Sequence, residues 1–571
     1  MIAPVAKVFQ LKWPDIFTKG HGSATFRIGQ VLQHQAGYNV SDSILNTNPN
    51  AGYYGNPQKY LFRITYQYAD RISLGFAGEK DPGEQFFRGS QKAGMDYYSG
   101  YLCLKNQGIL KSLVIGNFKV DFGQGLTMSG GAGYGSLISS GILRRVGRGI
   151  RPTLSLDENS FLRGVAVELG AWKLALSAFY SNHQRDANIL QKDSISGTAE
   201  SVSSLSEGGY HRLPSEIDDK NAIREQITGA NLGFRIHRLY LGITGVYTNW
   251  SANLKPVQEL YSIYSFTGKT NLITGFDFQF HFRNLYFFGE ISMSLNGGTA
   301  WLGGLQMSPS NDVRLSLLYR NYKTNYQNPF SSAIGQNGSN SNEQGFLLNF
   351  YFRAFPKITI TGLIDLFRFP WLKYRTDFLS NGVEFTTRAD YQITRDTRIQ
   401  LKYRQLSTRI NTGAQQLIHK WCSQRTQSGQ LLISWKVNAT LDGSNRIGFN
   451  LFSNEEIKPS YGYFISQDLI YHPSNLPLSM TFRIALFQTD SYNVRFYIYE
   501  NDAPFSATVP ALEGTGTRCF LLIHWRPLKW FDLWVRYAHT LYTDRSIISS
   551  GLDQINGNMR TDISLQLQFR F

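Results

Sequence analysis

From about residue 23 to the end of the chain, apolar and polar residues alternate over segments of about nine to twelve residues. In Tyr60–Tyr68, Phe62, Ile64, Tyr66 and Tyr68 share one face, and Arg63, Thr65 and Gln67 share the other. In Leu232–His237, Leu232, Phe234 and Ile236 oppose Gly233, Arg235 and His237. Arg398–Gln405 and Asp532–His539 repeat the pattern, with Ile399, Leu401 and Tyr403 on one apolar face and Leu533, Val535 and Tyr537 on another. A period of two predicts strands with one apolar and one polar face. Strands of soluble proteins peak near five or six residues. Segments of about ten match a tilted strand that crosses a bilayer. Aromatic residues recur near segment ends, at Tyr97-Tyr98, Tyr286, Tyr319, Tyr322 and Trp435, where interfacial girdles would place them. Aromatics also favour ordinary strands, but their repetition along the whole chain favours the girdles.

The connections alternate between short and long. Ala69-Asp70-Arg71, Gly108–Lys111, His237-Arg238 and Arg395-Asp396 are short, whereas 33–59, 121–163, 183–227 and 323–342 are long. Bacterial barrels show this asymmetry, with tight periplasmic turns and long outer loops. The count comes to about 24 strands, within a range of 22 to 26, if 490–516 is one outer loop with its own small hairpin and Asn296–Thr299 is the one short outer link. The expected fold is therefore all-β, a transmembrane antiparallel barrel of the outer membrane. A linker over 1–20 would precede a single barrel over 21–571, with its longest outer loops at 121–163 and 183–227. Ile563, Leu565, Leu567, Phe569 and Phe571 line one face of the last strand, opposite Gln566, Gln568 and Arg570. An amphipathic final strand ending in Phe resembles the assembly signal of outer-membrane proteins. Phe569 and Phe571 would then engage the barrel-assembly machinery.

Composition fits this reading. A chain of 571 residues would ordinarily hold several domains. Here 14% of residues are aromatic and only 17% charged, with a mean hydropathy of −0.27 and no apolar run near the 18 residues of a spanning helix. The net charge of +16 is spread along the chain and forms no basic tail. By alternation Arg63, Arg235, Arg320, Arg353, Lys402, Arg404, Arg536 and Arg570 face away from the lipid side. Lipid cannot hold them cheaply, since Arg costs about 2–4 kcal/mol at the midplane. In the lumen they would favour anionic solutes, or pair with Asp277, Glu290 and Asp365 and fill the barrel. The Gly- and Ser-rich stretch Gly123–Gly149 reads as an outer loop or one folded into the pore. Close to its end, Arg144, Arg145, Arg148 and Arg151 are candidates for holding an anionic sugar, phosphate or lipopolysaccharide through bidentate contacts.

Chemistry-bearing motifs are sparse. Asp121-Phe122-Gly123 lacks the loops that would make it a metal-binding triplet. The ten histidines form no ligand spacing. Asp157-Glu158-Asn159 and Asp218-Asp219 lack an EF-hand pattern and read as solvated acids rather than calcium ligands. Cys103, Cys422 and Cys519 match no metal or redox spacing and read as packing residues. Neither a cofactor, a metal nor an enzyme is expected, a rim-located hydrolase of lipid or peptide being a minor alternative.

Several stretches resemble their counterparts in a known family: Glu79-Lys80-Asp81-Pro82-Gly83-Glu84 with Phe86-Phe87, Asp121–Leu126, Arg148-Gly149-Ile150-Arg151-Pro152 with Asp157-Glu158-Asn159, Tyr499-Glu500-Asn501-Asp502, and Asn556-Gly557-Asn558 with Thr561-Asp562-Ile563. Together they resemble a family of large outer-membrane barrels of Bacteroidota, usually labelled helix-hairpin-helix-domain proteins, over nearly the whole chain from about residue 15. The resemblance implies a signal peptide and a small helix-hairpin-helix module ahead of the barrel. This sequence shows neither, although Lys12–Phe17 looks like the joining linker. Nucleic acid would be a partner only through that module. The resemblance carries over no catalytic residue. The expected function is an outer-membrane pore or a binding and translocation channel with a basic lumen for an anionic solute or polymer, in contact with outer-membrane lipid and lipopolysaccharide. The alternative is a scaffold or assembly component whose outer loops bind protein partners.

Overall fold

The computed structural model describes residue 15 and residues 18–131, 141–413 and 420–571. Most of the expected linker over 1–20, including Lys12–Phe17 apart from Asp15, lies outside the described residues.

Twenty-four antiparallel strands close into one barrel. The first eight are β1 (His21–Val31), β2 (Lys59–Tyr68), β3 (Ile72–Lys80), β4 (Tyr97–Gln107), β5 (Leu110–Asp121), β6 (Leu162–Ala171), β7 (Leu174–Arg185) and β8 (Ile223–Ile236). The next eight are β9 (Leu239–Leu254), β10 (Gly268–Phe282), β11 (Leu285–Ser294), β12 (Thr299–Met307), β13 (Val313–Tyr322), β14 (Glu343–Phe355), β15 (Ile358–Phe369) and β16 (Ser380–Gln392). The last eight are β17 (Thr397–Asn411), β18 (Trp421–Lys436), β19 (Leu441–Asn454), β20 (Ile457–Tyr471), β21 (Leu478–Thr489), β22 (Thr515–Leu528), β23 (Phe531–Tyr542) and β24 (Met559–Arg570). Each pairs with its sequence neighbour, and β1 closes the ring on β24 from Ser23↔Arg570 to Val31↔Asp562. Closure leaves no open edge, which the membrane interior requires.

The turns that follow β2, β4 and each even-numbered strand through β22 contain two to six residues and lie at one end. His21 and Phe571 lie at that end too, since His21 pairs with Gln67 and the Gly22 N–H donates to the Phe571 carbonyl at 2.6 Å. This is the periplasmic end. The other end carries the long connections, with two short exceptions. One is 295–298, as expected. The other, Glu455-Glu456 between β19 and β20, departs from the expectation of a single short outer link. The loop 490–514 carries the expected hairpin, Phe496-Tyr497 against Ala511-Leu512.

The alternation sorts the two faces. Ile243, Ile447, Ile465 and Leu486 point outward at mid-strand and are half-exposed, forming the band that lipid covers. Outward aromatics such as Phe282, Trp525, Trp530 and Phe571 flank it at the periplasmic end. Three expected girdle residues face the other way. Tyr97 is buried inside and takes a hydrogen bond from Asn117. Tyr322 donates inward to the Ile334 carbonyl at 2.7 Å, and Tyr286 donates to Gln279 on the luminal face. Tyr98 and Tyr319 do face outward.

The barrel's core lies inside it. Leu126 and Leu143, from the loop after β5, pack with Phe288, Leu302 and Leu318 on the inner wall. Phe496, Ile498 and Leu512, from the loop after β21, pack with Phe464, Phe487 and Tyr542. Beneath the loops the inner wall combines these apolar patches with buried polar anchors such as Glu290 and Arg518.

If the outward band faces hydrocarbon, Ile465→Arg lowers stability by about 2–4 kcal/mol, measured by denaturant unfolding in lipid vesicles. Gln430→Arg, on an inward position two strands away, has a small effect.

Candidate functional site: the lumen and the loops folded into it

Two outer loops turn back into the barrel, and buried carboxylates anchor both. The first, 122–161, hangs on Glu290 of β11, which lies buried at mid-strand. Its carboxylate accepts the backbone N–H groups of Gln124 at 2.6 Å, Leu126 at 3.1 Å and Thr127 at 2.8 Å, and the Thr127 hydroxyl at 2.7 Å. Gly123 is held at φ +56° against that carboxylate, with no room for a Cβ. The loop then reaches far down the lumen. The Gly141 carbonyl accepts Ser316 Oγ at 2.8 Å, and the Arg144 guanidinium covers Tyr286, 4.0 Å from its ring centre. A third loop, 323–342, clamps the first from above. Tyr326 donates to the Leu126 carbonyl at 2.9 Å, and Asn328 donates to the carbonyls of Leu126 and Thr127.

The second inward loop, 490–514, hangs on Glu500. This carboxylate receives Arg518 of β22 through two hydrogen bonds of 2.7 and 2.9 Å, together with Arg536 of β23. Arg483 of β21 reaches the Tyr499 carbonyl at 2.8 Å while it also pairs with Asp468. Arg63 joins the two loops. It donates to the Leu154 carbonyl at 3.0 Å and lies 4.3 Å from the centre of the Phe505 ring.

These contacts place the eight basic residues expected in the lumen. All lie on inward positions, but they do not form one anion site. Arg320 is fully buried between Glu343 at 2.5 Å and Asp365 at 2.8 and 2.9 Å. Of the three carboxylates expected as arginine partners, Asp365 fills that role, whereas Glu290 binds backbone N–H groups instead. Arg63 and Arg536 belong to the loop anchors. Arg570 pairs with Asp532 at 2.9 Å, and Arg353 with Asp312 at 3.4 Å, both near the periplasmic rim. Arg235 stacks on Tyr240 and lines a periplasm-facing cavity of about 600 Å³ with Lys111, Arg148 and Lys173.

Lys402 and Arg404 differ from these. They lie on the wall formed by β16 to β19, where most inward side chains remain partly exposed because loop 490–514 touches only the outer half of β19, through Gly448 and Asn450. Arg404 pairs with Glu384 at 2.6 Å yet stays 43% exposed. Asp390 serves both Arg388 and Arg398. Lys402, in register with Arg388, and Arg446 of β19 have no carboxylate partner among the described residues. This wall holds an excess of positive charge beside open space. The sequence reading missed Arg388 and Arg446, although the alternation that selected Lys402 and Arg404 applies to both.

The four loop arginines are also dispersed. Arg145 donates to Ser129 Oγ at 2.9 Å and to the Ser332 carbonyl, Arg151 pairs with Asp121, and Arg144 covers Tyr286. Arg148 alone lines the periplasm-facing cavity. A single bidentate anion clamp is therefore not what they form, since three of them lock the loop in place.

At the outer end His211 joins three loops, which its sequence spacing did not reveal. Its Nδ1 lies 2.5 Å from Asp96 and its Nε2 3.1 Å from Asp186, while its backbone N–H donates to Glu84 at 3.1 Å. Lys220 adds a second cation on Asp96 at 2.7 Å. Glu84, Asp96 and His211, and likewise Glu158, Asp186 and His211, bring their polar atoms within 4.8 Å of one another, close enough to surround a cation. Both ring nitrogens are already used on carboxylates, so the geometry is that of a clamped imidazolium. Burial opposes its charge, but the hydrogen bonds to Asp186 and Asp96 outweigh burial and raise its pKa to about 10. Burial, with Asp96 nearby, pushes Glu84 up to about 7 and Glu158 up to about 9. Asp157-Glu158-Asn159 thus contributes Glu158 to a buried cluster instead of a solvated loop.

No family model and no curated protein matches the chain. Among solved structures it is similar to the siderophore receptor PirA from Acinetobacter baumannii, with 9% identity over 97% of this chain and 80% of that one and a TM-score of 0.44. It is similar also to a mutant of the ferric enterobactin receptor PfeA from Pseudomonas aeruginosa, with 9% identity over 97% and 80% and a TM-score of 0.46. A third is OccAB2 from Acinetobacter baumannii, with 10% identity over 61% and 91% and a TM-score of 0.29. The closed barrel with its apolar outer band stands on the chain's own geometry. It is that of an integral protein of the bacterial outer membrane.

The pKa shifts fix how the outer cluster responds to pH. His211 is raised above its unfolded value, so its stabilisation is full below about pH 6.5 and is lost as pH rises through about 10. Glu84 and Glu158 are raised too and act in the same direction, weakening the cluster as pH rises through about 7 and about 9. Amide exchange in 206–222 therefore accelerates between pH 7 and pH 10, after correction for intrinsic exchange. His211→Gln exchanges fast throughout and loses most of that added dependence.

Proposed function

We propose that this barrel is a channel for an anionic solute or polymer, whose path runs along the basic wall of β16 to β19 past the two inward loops. The observation that carries this reading is the pairing pattern. Across most of the lumen each arginine meets a carboxylate or a loop carbonyl, as Arg320, Arg483 and Arg518 do. On this one wall Lys402 and Arg446 are uncompensated and side chains remain open to water. Charged side chains lining a constriction set ionic selectivity, and an unscreened cation beside a low-dielectric wall attracts anions most strongly. The tip of loop 323–342 borders the path. Its Gln336 donates to Asp365 and Glu384 at 2.8 Å each, so that Glu384 is shared between the loop and Arg404.

The test is single-channel recording in planar bilayers across a salt gradient. The expected result is small steps with a reversal potential favouring anions. Replacing Lys402, Arg404 and Arg446 together by Gln shifts that potential toward cations, because Glu384 and Asp390 remain. Arg536→Gln frees one contact of Glu500 and raises conductance without a comparable change in selectivity. Absence of conductance in the wild-type chain and in a variant lacking 490–514 sinks the proposal.

The anchor of the first loop gives a separate expectation. Glu290→Ala removes the acceptor of four hydrogen bonds, and the buried N–H groups it leaves cost about 1–3 kcal/mol each. Loop 122–131 then leaves the lumen, visible as a larger step conductance and as new protease sensitivity in a barrel that still resists heat unfolding in SDS.

A further inference from the structure

At the outer face, a cavity of about 260 Å³ lies among the ends of β9, the connection after it, loop 323–342 and the start of the connection after β15. None of its lining residues is charged, in a chain whose net charge is +16. Six are aromatic: Trp250, Tyr261, Tyr264, Phe266, Tyr326 and Trp371. The remainder are mainly amides and hydroxyls, including Thr324, Gln327, Asn328 and Ser341.

The walls are braced. Trp371 and Tyr264 meet edge to face, with ring centres 5.2 Å apart, and the Trp371 indole N–H donates to the Leu260 carbonyl at 3.0 Å. Trp250 is buried, packs against Phe266 and donates to Glu225 at 2.8 Å. Gln327 donates to the Tyr264 carbonyl at 2.8 Å. The rings are thus held in place before any ligand arrives, which lowers the ordering cost of binding. Among the described residues the Tyr261 and Tyr264 hydroxyls and the Gln327 side-chain Oε1 make no hydrogen bond, whereas the Gln327 backbone carbonyl accepts one from Asn271 at 2.8 Å.

From this lining we infer a binding site for a neutral saccharide, of a size to hold one or two sugar rings at the outer mouth of the barrel. A pyranose offers a C–H face and a ring of hydroxyls. Fixed aromatic faces suit the first, and amide and hydroxyl groups suit the second. A charged ligand would be desolvated here without a counter-charge, which is costly. A purely apolar ligand would leave buried polar groups unpaired. The volume lies near the lower end of small-ligand pockets, roughly 300 Å³ and upward. The floor of the site is also the clamp on the luminal loop: Tyr326 and Asn328 line the cavity and hold the Leu126 carbonyl. The site is separate from the wall of β16 to β19 and does not depend on the channel reading.

The test is tryptophan fluorescence of the purified full chain in a detergent with no sugar head group, titrated with maltose, cellobiose and lactose. Glucose 6-phosphate and glucuronate serve as charged comparisons. The expected result is a saturable change with at least one neutral disaccharide, weakened about tenfold or more in Trp371→Ala and unchanged in Lys402→Gln. Tyr264→Ala, which leaves both tryptophans in place, weakens it as well, and resistance of each variant to unfolding in SDS shows that the barrel is intact. Binding of the charged sugars as tight as that of the neutral ones overturns the inference. So does the absence of a saturable response to any of the three disaccharides, or a response that Trp371→Ala and Tyr264→Ala leave untouched.

Discussion

Glu290 sits at the centre of β11, inside the barrel and out of contact with bulk water. Its carboxylate is satisfied by three backbone N–H groups and one hydroxyl, all from a loop that begins at the outer membrane surface. A barrel of this circumference encloses more space than its own side chains can fill. The chain resolves that constraint by folding its outer loops inward, and each returning segment brings polar backbone into a dry place. Every such group needs a partner. Glu290 supplies partners for loop 122–161, whereas the carboxylate of Glu500 serves loop 490–514 from the other side, with wall arginines as donors. Arg63 then ties the two loops together. Removing one partner from such an arrangement costs far more than the bond itself is worth, so loop position and wall chemistry depend on each other.

Viewed this way, most of the positive charge is structural. The arginines facing Glu343, Asp365, Asp468 and Glu500 hold strands and loops together. Along β16 to β19, where the loops touch only Glu384 and the outer half of β19, the charge faces open space, and there carboxylates are fewer than cations. The outer cluster around His211 is a third use of the same device: a cation buried between carboxylates of separate loops, on the rim and sensitive to pH.

The fold was legible in the sequence because lipid outside and water or loops inside impose a period of two over every spanning segment. That pattern placed Lys402, Arg404 and Arg536 on the inner face correctly. Its misreadings have a physical source. Tyr97 and Tyr98 are adjacent, and Tyr319 and Tyr322 are three apart, so neither pair can share one face of a strand; one member of each had to be luminal. The inward course of the loops was less visible, since Gly- and Ser-rich stretches read alike whether they project outward or return inside. A signal was nevertheless present. The stretches that stood out, around Glu84, Asp121 to Leu126, Arg151, Glu158 and Glu500, are those whose side chains anchor loops. His211 and the aromatic residues of the outer cavity left no such trace, because partners from distant loops meet only after the barrel closes.

One side of the lumen is filled and the other open, and aqueous thiol accessibility reads this directly. In a background with Cys103, Cys422 and Cys519 replaced by Ser, single cysteines are introduced at Gln430 on β18 and at Ser292 on β11, and the reconstituted barrel is exposed to membrane-impermeant anionic and cationic thiol reagents. The cysteine at 430 is expected to react readily, and faster with the anionic reagent, while the one at 292 stays protected beneath loop 122–161. Equal reactivity at the two positions, or a faster reaction of 430 with the cationic reagent, would contradict the account.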